Sequence, residues 1–189
     1  MIIIYGGAFN PPTKAHYIIA KTIIEKFNPD KFYFLPVGDR YNKKGMESFL
    51  NRFNMAKLLA DKLPNAFVSD KENEETFRGT YYMLKDFSEV DNELYFVMGA
   101  DNFDYIDNWI MGKNLIEEFN FIILTREGYD VESLINNKYY ENKDNFTVIN
   151  LDIPISSTIF RLNKDSDILI DEVYEYIKKN RLYEVNEDV

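Results

Sequence analysis

Two short stretches of the chain combine residue types suited to holding phosphate. The first is Gly6-Gly7-Ala8-Phe9-Asn10-Pro11-Pro12-Thr13-Lys14-Ala15-His16, which joins an apolar run to a segment with helical spacing. Glycines directly after a strand let the backbone approach a ligand closely, and the helix that follows presents free N–H groups to an anion. Thr13 is suited to cap that helix, which puts His16 in its first turn, facing the same mouth. A Gly-Pro turn beside a chance histidine would read the same way. What favours chemistry is that His16 is the only histidine of the chain and falls three residues after the cap.

The second stretch is Ile155-Ser156-Ser157-Thr158-Ile159-Phe160-Arg161, after the last apolar run and at the start of another helical segment. Three hydroxyl residues with their amides at a helix start can hold phosphate oxygens, and Arg161 lies about one turn further in. An ordinary N-cap accounts for Ser-Ser-Thr taken alone. The pair carries more, because loops after the first strand and after a later neighbouring strand of a doubly wound sheet converge at its switch point.

The elements that must position these stretches follow from the apolar pattern. Ile2 to Tyr5, Phe32 to Val37, Ala66 to Val68, Leu94 to Met98, Phe121 to Leu124 and Val148 to Ile153 are short and mostly rich in β-branched or aromatic residues, as buried strands are. Between them Ala15, Ile19, Ile23 and Phe27 keep helical spacing, as do Phe53, Ala56, Leu59 and Ala60 behind Ser48 as N-cap. Strand and helix in alternation predict an α/β fold, a doubly wound parallel sheet covered on both faces, with ligands at the carboxyl ends of its strands. Asp167 to Tyr183 carries Ile170, Val173, Tyr174, Ile177 and Leu182 on one stripe, predicting a C-terminal closing helix, and Asn186 to Val189 should fray.

Composition removes several kinds of chemistry. The 189 residues suit a single domain spanning 1–189, and without cysteine there are no disulfides, thiolate metal sites or cysteine nucleophiles. A formal charge of -10 argues against binding a polynucleotide backbone, and the 14 tyrosines and 15 phenylalanines have no interleaved basic residues, so they read as core. No apolar run is long enough for a membrane span and MIIIYGG lacks a basic leader, so the protein is expected to be soluble, unsecreted and cytoplasmic. A homo-oligomer is compatible with all of this.

Nearly the whole chain resembles the nucleotidyltransferases that carry an H/T-x-x-H motif and an ISSTxxR motif, and among them the bacterial nicotinate-nucleotide adenylyltransferases. GGAFNPPTKAH is similar to the first motif, with Thr13 where a histidine is common and Ala15 where a glycine is; ISSTIFR matches the second in full. Gly99-Ala100-Asp101 with Trp109 and Leu115 resembles the family's GxD…W…L segment, Pro36 with Lys43, Arg52 and Met55 resembles its second-strand loop and helix, and Val173 through Tyr183 resembles its ending. The resemblance implies a Rossmann-like nucleotidyltransferase fold and adenylyl transfer from ATP to a pyridine mononucleotide in NAD synthesis.

On that resemblance His16, Thr13 and Arg161 are the catalytic candidates. ATP would lie against Gly6, Gly7, Ala8, Phe9, His16, Gly99, Asp101, Ile155, Ser156, Ser157, Thr158 and Arg161, bringing magnesium on its phosphates and needing no protein metal ligand. The acceptor would contact Asn10, Lys43, Phe77, Arg78, Thr80 and Trp109, with Trp109 stacked on the pyridine ring; Arg126 is a weaker candidate. For a nicotinate ring, Gly79 allows close backbone approach, Thr80 could cap the next helix and Arg78 could pair with the carboxylate, although Glu75 to Tyr81 departs from the family's Ser-Tyr-Thr wording. Rival readings are an adenylyl- or cytidylyltransferase acting on nicotinamide mononucleotide or pantetheine phosphate, and a nucleotide-binding regulator without turnover.

Overall fold

The computed structural model describes residues 1–41, 45–91, 93–125, 130–151 and 153–183. In chain order the strands and helices are β1 (Ile2–Gly7), α1 (Lys14–Phe27), β2 (Lys31–Pro36), α2 (Phe49–Ala60), β3 (Ala66–Val68), α3 (Thr80–Ser88), β4 (Leu94–Gly99) and α4 (Ala100–Phe103). They continue with α5 (Gly112–Glu118), β5 (Asn120–Thr125), α6 (Val131–Lys138), β6 (Phe146–Asn150), α7 (Ser157–Asn163) and α8 (Asp171–Asn180), joined in places by short 3-10 turns.

The six strands form one sheet in the order β3-β2-β1-β4-β5-β6, every neighbouring pair parallel. This is the doubly wound arrangement, and its order reverses between β1 and β4, where a crevice opens at the strands' carboxyl ends. Alternation along β1 explains why both faces are dry. Ile3 and Tyr5 join Phe32, Phe34, Val97 and Ile122 under Ile23, Met55, Leu59, Val173 and Ile177. Ile2 and Ile4 join Leu35, Phe96, Met98 and Phe121 under Met83, Leu84, Leu115 and Ile135. Each such side chain contributes about 1.5–3 kcal/mol by leaving water, so the two cores hold the crevice residues on a rigid base.

Two elements differ from the sequence expectation. The sixth strand covers Phe146–Asn150 rather than Val148 to Ile153, because its ladder with β5 ends where Thr125 pairs with Asn150. Beyond it the backbone bonds within itself, Ile153 N–H to Leu151 and Ile155 N–H to Ile153, which no strand does. The closing helix begins at Asp171 rather than Asp167: Ile170 is extended, and Asp165 accepts from the Asp167 N–H to make a separate 3-10 turn. That helix docks on α2, the Tyr176 hydroxyl donating to Asn51 and accepting from Asn54, both at 3.1 Å. Asn186 to Val189 lie outside the described residues. Among the described residues no helix is long and apolar enough to cross a membrane.

Candidate active site

The loop leaving β1 is shaped by side chains packed beneath it. A Cβ on Gly6 would stand 2.7 Å from the tip of the Phe96 ring on neighbouring β4, so a larger residue would have to displace that ring. Phe9, at φ 47°, turns its ring inward against Tyr5, Phe34 and His16 and is 1% exposed. It supports the loop from below instead of facing a ligand. Asn10 is likewise consumed: its amide donates to the Gly45 carbonyl, while its oxygen accepts from Glu47 N–H and from the Tyr183 hydroxyl at 2.8 Å. These bonds occupy its oxygen and one of its two amide hydrogens, so the side chain chiefly ties the loop to Gly45, Glu47 and Tyr183.

Thr13 holds the N-cap position of α1 with extended φ and ψ. Its backbone N–H donates to His16 Nδ1 at 3.0 Å, and its hydroxyl is 2.9 Å from the same nitrogen. With Nδ1 accepting, the neutral ring carries its proton on Nε2. Burial lowers the His16 pKa from 6.5 to about 4, since a cation is poorly solvated among Tyr5, Phe9 and Ala15. His16 is therefore a neutral donor near pH 7. Thr13, 0% exposed, sets its N–H and hydroxyl against the histidine and so fixes its tautomer.

The second motif meets the first across the sheet. Strand β6 is not a neighbour of β1, since β4 and β5 intervene; convergence comes from the segment after β6, which runs back over the carboxyl ends of both. Ser157 donates to the Pro11 carbonyl at 2.7 Å, and Arg161 donates to the Asn10 carbonyl at 2.5 Å and to the Thr158 hydroxyl at 3.0 Å. Ser156 caps α7 by accepting from the Ile159 N–H. The hydroxyls and Arg161 thus clamp the first loop, with Thr158 exposed and Arg161 partly so. Neither they nor Ile155 line the two cavities of the crevice.

Those cavities meet at Gly6, Gly7, Asp101 and Asn102. One, of about 260 Å³, is bounded by His16, Ala15, Ile19, Gly99, Leu124 and Ile153. The other, of about 510 Å³, is bounded by Ala8, Phe77, Gly79, Thr80, Trp109 and Ile110, and its wall includes Glu72. Trp109 is partly exposed and stands edge-on to Phe96, leaving an apolar slot between it, Phe77 and Ile110. Gly79 takes φ 115° and is the N-cap of α3, so Thr80 is the helix's first residue and not its cap. Arg78 lies outside this cavity, its guanidinium 4.5 Å above the Tyr82 ring among Lys71, Glu74 and Asp86. Lys43 and Arg126 are outside the described residues.

Asn102 and Glu72 carry no signal in the sequence, and Arg52 is noted there only through the family resemblance, without a role. Asn102 borders both cavities, but it follows Asp101 with no pattern of its own. Arg52 is 0% exposed and donates to the carbonyls of Ala8 and Glu47 and to the Asp39 carboxylate, bracketing three loops, although it sits in a helix of ordinary composition. Glu72 is buried within Lys71-Glu72-Asn73-Glu74-Glu75, which reads as a solvated stretch. Taken together, a neutral donor and glycine amides line one cavity, a carboxylate and an amide stand at the junction, and an aromatic slot forms the other. Two substrates could meet there with their phosphates at the junction.

Comparison with known proteins bears on the same site. The family model described as cytidylyltransferase-like matches residues 4–163. A relative from Acholeplasma laidlawii (strain PG-8A), named "Probable nicotinate-nucleotide adenylyltransferase", is 37% identical over 189 residues, 97% of this chain and 98% of the relative. The Plasmodium falciparum nicotinic acid mononucleotide adenylyltransferase complexed with NaAD superposes with a TM-score of 0.79 at 25% identity, covering 96% of each chain. The same enzyme complexed with APC gives 0.77 at 24%, again over 96% of each.

Proposed function

Since the chain belongs to the cytidylyltransferase-like family, within its nicotinate-nucleotide adenylyltransferases, we propose that it transfers the adenylyl group of ATP to nicotinate mononucleotide. The products are nicotinate adenine dinucleotide and pyrophosphate, a step of NAD synthesis. The observation that carries this reading is the meeting of the His16 cavity and the Trp109 cavity at Gly6, Gly7, Asp101 and Asn102.

A phosphate oxygen of the mononucleotide attacks the α-phosphorus of ATP. The new P–O bond forms as the bond to the bridging oxygen breaks, and pyrophosphate leaves with the electron pair. The nucleophile is already an anion, so no general base is required, and catalysis rests on position and on donors aimed at growing charge. His16 Nε2–H and the Gly6–Gly7 backbone are the donors on the ATP side. Thr13 holds the histidine's ring; Arg161, Ser157 and Thr158 hold the loop that presents it, and Arg161 and Thr158 retain exposed surface for the triphosphate. Asp101 stands where ATP ribose or phosphate would pass. Phe77, Trp109 and Ile110 take the pyridine ring, and backbone groups at Gly79 and Thr80 approach its carboxylate.

Magnesium, if carried in on the ATP phosphates, would supply charge neutralisation for the leaving pyrophosphate. Its ligands in this account would be phosphate oxygens and water. The cytoplasm is the compartment proposed for the enzyme. The test is a screen of ATP and CTP against nicotinate mononucleotide, nicotinamide mononucleotide and pantetheine phosphate for pyrophosphate release. ATP with nicotinate mononucleotide should be the productive pair.

A further inference from the structure

Glu72 is the one described residue with a buried side-chain polar atom that lacks a hydrogen-bond partner: its Oε2 has none, and the residue is 4% exposed. It belongs to the wall of the 510 Å³ cavity assigned above to the acceptor. The reason for its burial is local. A Cβ on Gly38 would stand 2.2 Å from the Glu72 carbonyl oxygen, so the loop after β2 presses directly on this segment, and the Gly38 N–H bonds the Glu72 carboxyl.

Among the described residues little on the neighbouring elements offsets a negative charge there, and Arg40, beside Asp39, is turned to the Glu74 carbonyl at 2.8 Å. Arg52 of α2 is a cation that acts on Glu72, but its guanidinium is already bonded to Ala8, Glu47 and Asp39. Asp39, from the loop after β2, is held by Arg52. On its own segment Lys71 pairs with Glu74 at 3.2 Å. From the α3 side come Gly79 and Thr80, neither charged, while Arg78 is turned to Tyr82. A carboxylate in such a wall acts on a second anion through a poorly screening medium.

We propose that Glu72 is a specificity-determining residue that sets the charge tolerance of the acceptor cavity: as the uncharged acid it admits an anionic mononucleotide, and as the carboxylate it opposes one. Burial raises its pKa to about 7, which places the change in the working range. Burial holds the His16 pKa near 4, below that range. The inference rests on the acceptor reading given above.

The test is the acceptor KM, at saturating ATP, from pH 6.5 to 9 for the wild type and for Glu72→Gln, which keeps the shape and cannot ionise. The wild-type KM should be flat at the acid end and rise roughly tenfold per pH unit well above the transition, while the variant stays flat. Superimposable profiles would overturn the proposal. If the variant does not fold, calorimetry on the wild type at pH 8 decides, using nicotinate mononucleotide, a non-transferable ATP analogue and two buffers of different ionisation enthalpy. Net proton uptake on binding supports the role of Glu72, and none refutes it. No pyrophosphate release with this acceptor at any pH is a different failure: it removes the substrate reading and the role of Glu72 with it.

Discussion

The Thr13 N–H donates to His16 Nδ1 at 3.0 Å, closing the first turn of α1 around the only histidine in the chain. The bond commits Nδ1 as an acceptor and leaves Nε2–H for the cavity the ring lines. A donor fixed in this way needs no reorganisation when charge develops on a phosphate.

Removing the ring should therefore cost catalysis more than stability. His16→Ala is expected to lower kcat about 10²-fold or more, roughly 3 kcal/mol of transition-state stabilisation, with the far-ultraviolet circular dichroism unchanged. Steady-state kinetics check this, and an unaltered kcat removes His16 from the mechanism.

Thr13→Val keeps the backbone N–H and deletes the hydroxyl 2.9 Å from Nδ1. The account predicts a loss in kcat of about five- to tenfold, the worth of one hydrogen bond, well short of that for His16→Ala and with little change in KM for ATP. A loss equal to that of the histidine variant would mean that Thr13 contacts substrate itself.

Arg161 uses two nitrogens in two directions, toward the Asn10 carbonyl and the Thr158 hydroxyl. A lysine ammonium cannot reproduce that fork. Arg161→Lys should lower kcat/KM for ATP about tenfold or more, and wild-type kcat/KM in that variant would show that charge alone suffices.

The depressed pKa of His16 also predicts how stability depends on acid. Its folded value of about 4 lies below the ordinary 6.5, so the unfolded chain takes up the proton first. Its contribution is complete above 6.5 and is lost as pH falls from there toward 4, with a slope of up to about 1.4 kcal/mol per pH unit. Denaturant titrations of the wild type and His16→Asn should differ by an amount that shrinks across this window. Glu72, raised to about 7, acts in the opposite sense, its contribution being complete below 4.5 and lost as pH rises through 7.

The sheet was legible in the sequence because its strands are apolar on both faces and bounded by polar segments; Ile2 to Tyr5 and Phe121 to Leu124 are clear cases. The end of β6 was not, since Leu151 and Ile153 are as apolar as a strand and only the loss of ladder partners stops it. At the site, Gly6, Gly7 and His16 of the first motif, and Asp101, Phe77 and Trp109 named through the family resemblance, line the two cavities. Asn10, Phe9 and Thr13 lie in the first loop, and what their side chains contribute to its shape depends on burial and hydrogen bonds that the sequence does not display. Glu72 was hidden because burial of a single charged residue leaves no period in the sequence; Arg52 was matched by resemblance, but its burial and its bonds to three loops were not legible.

The central claim is the identity of the acceptor, and kcat/KM for nicotinate mononucleotide against nicotinamide mononucleotide, with ATP saturating, tests it most directly. The two differ by a ring carboxylate in place of a neutral amide, next to backbone groups at Gly79 and Thr80 in a cavity that Arg78 does not enter. A charge-assisted contact worth about 1.5–3 kcal/mol predicts a ten- to hundredfold preference for the acid, with nicotinate adenine dinucleotide and pyrophosphate formed one to one. Equal values, a preference for the amide, or turnover with pantetheine phosphate alone would contradict the account.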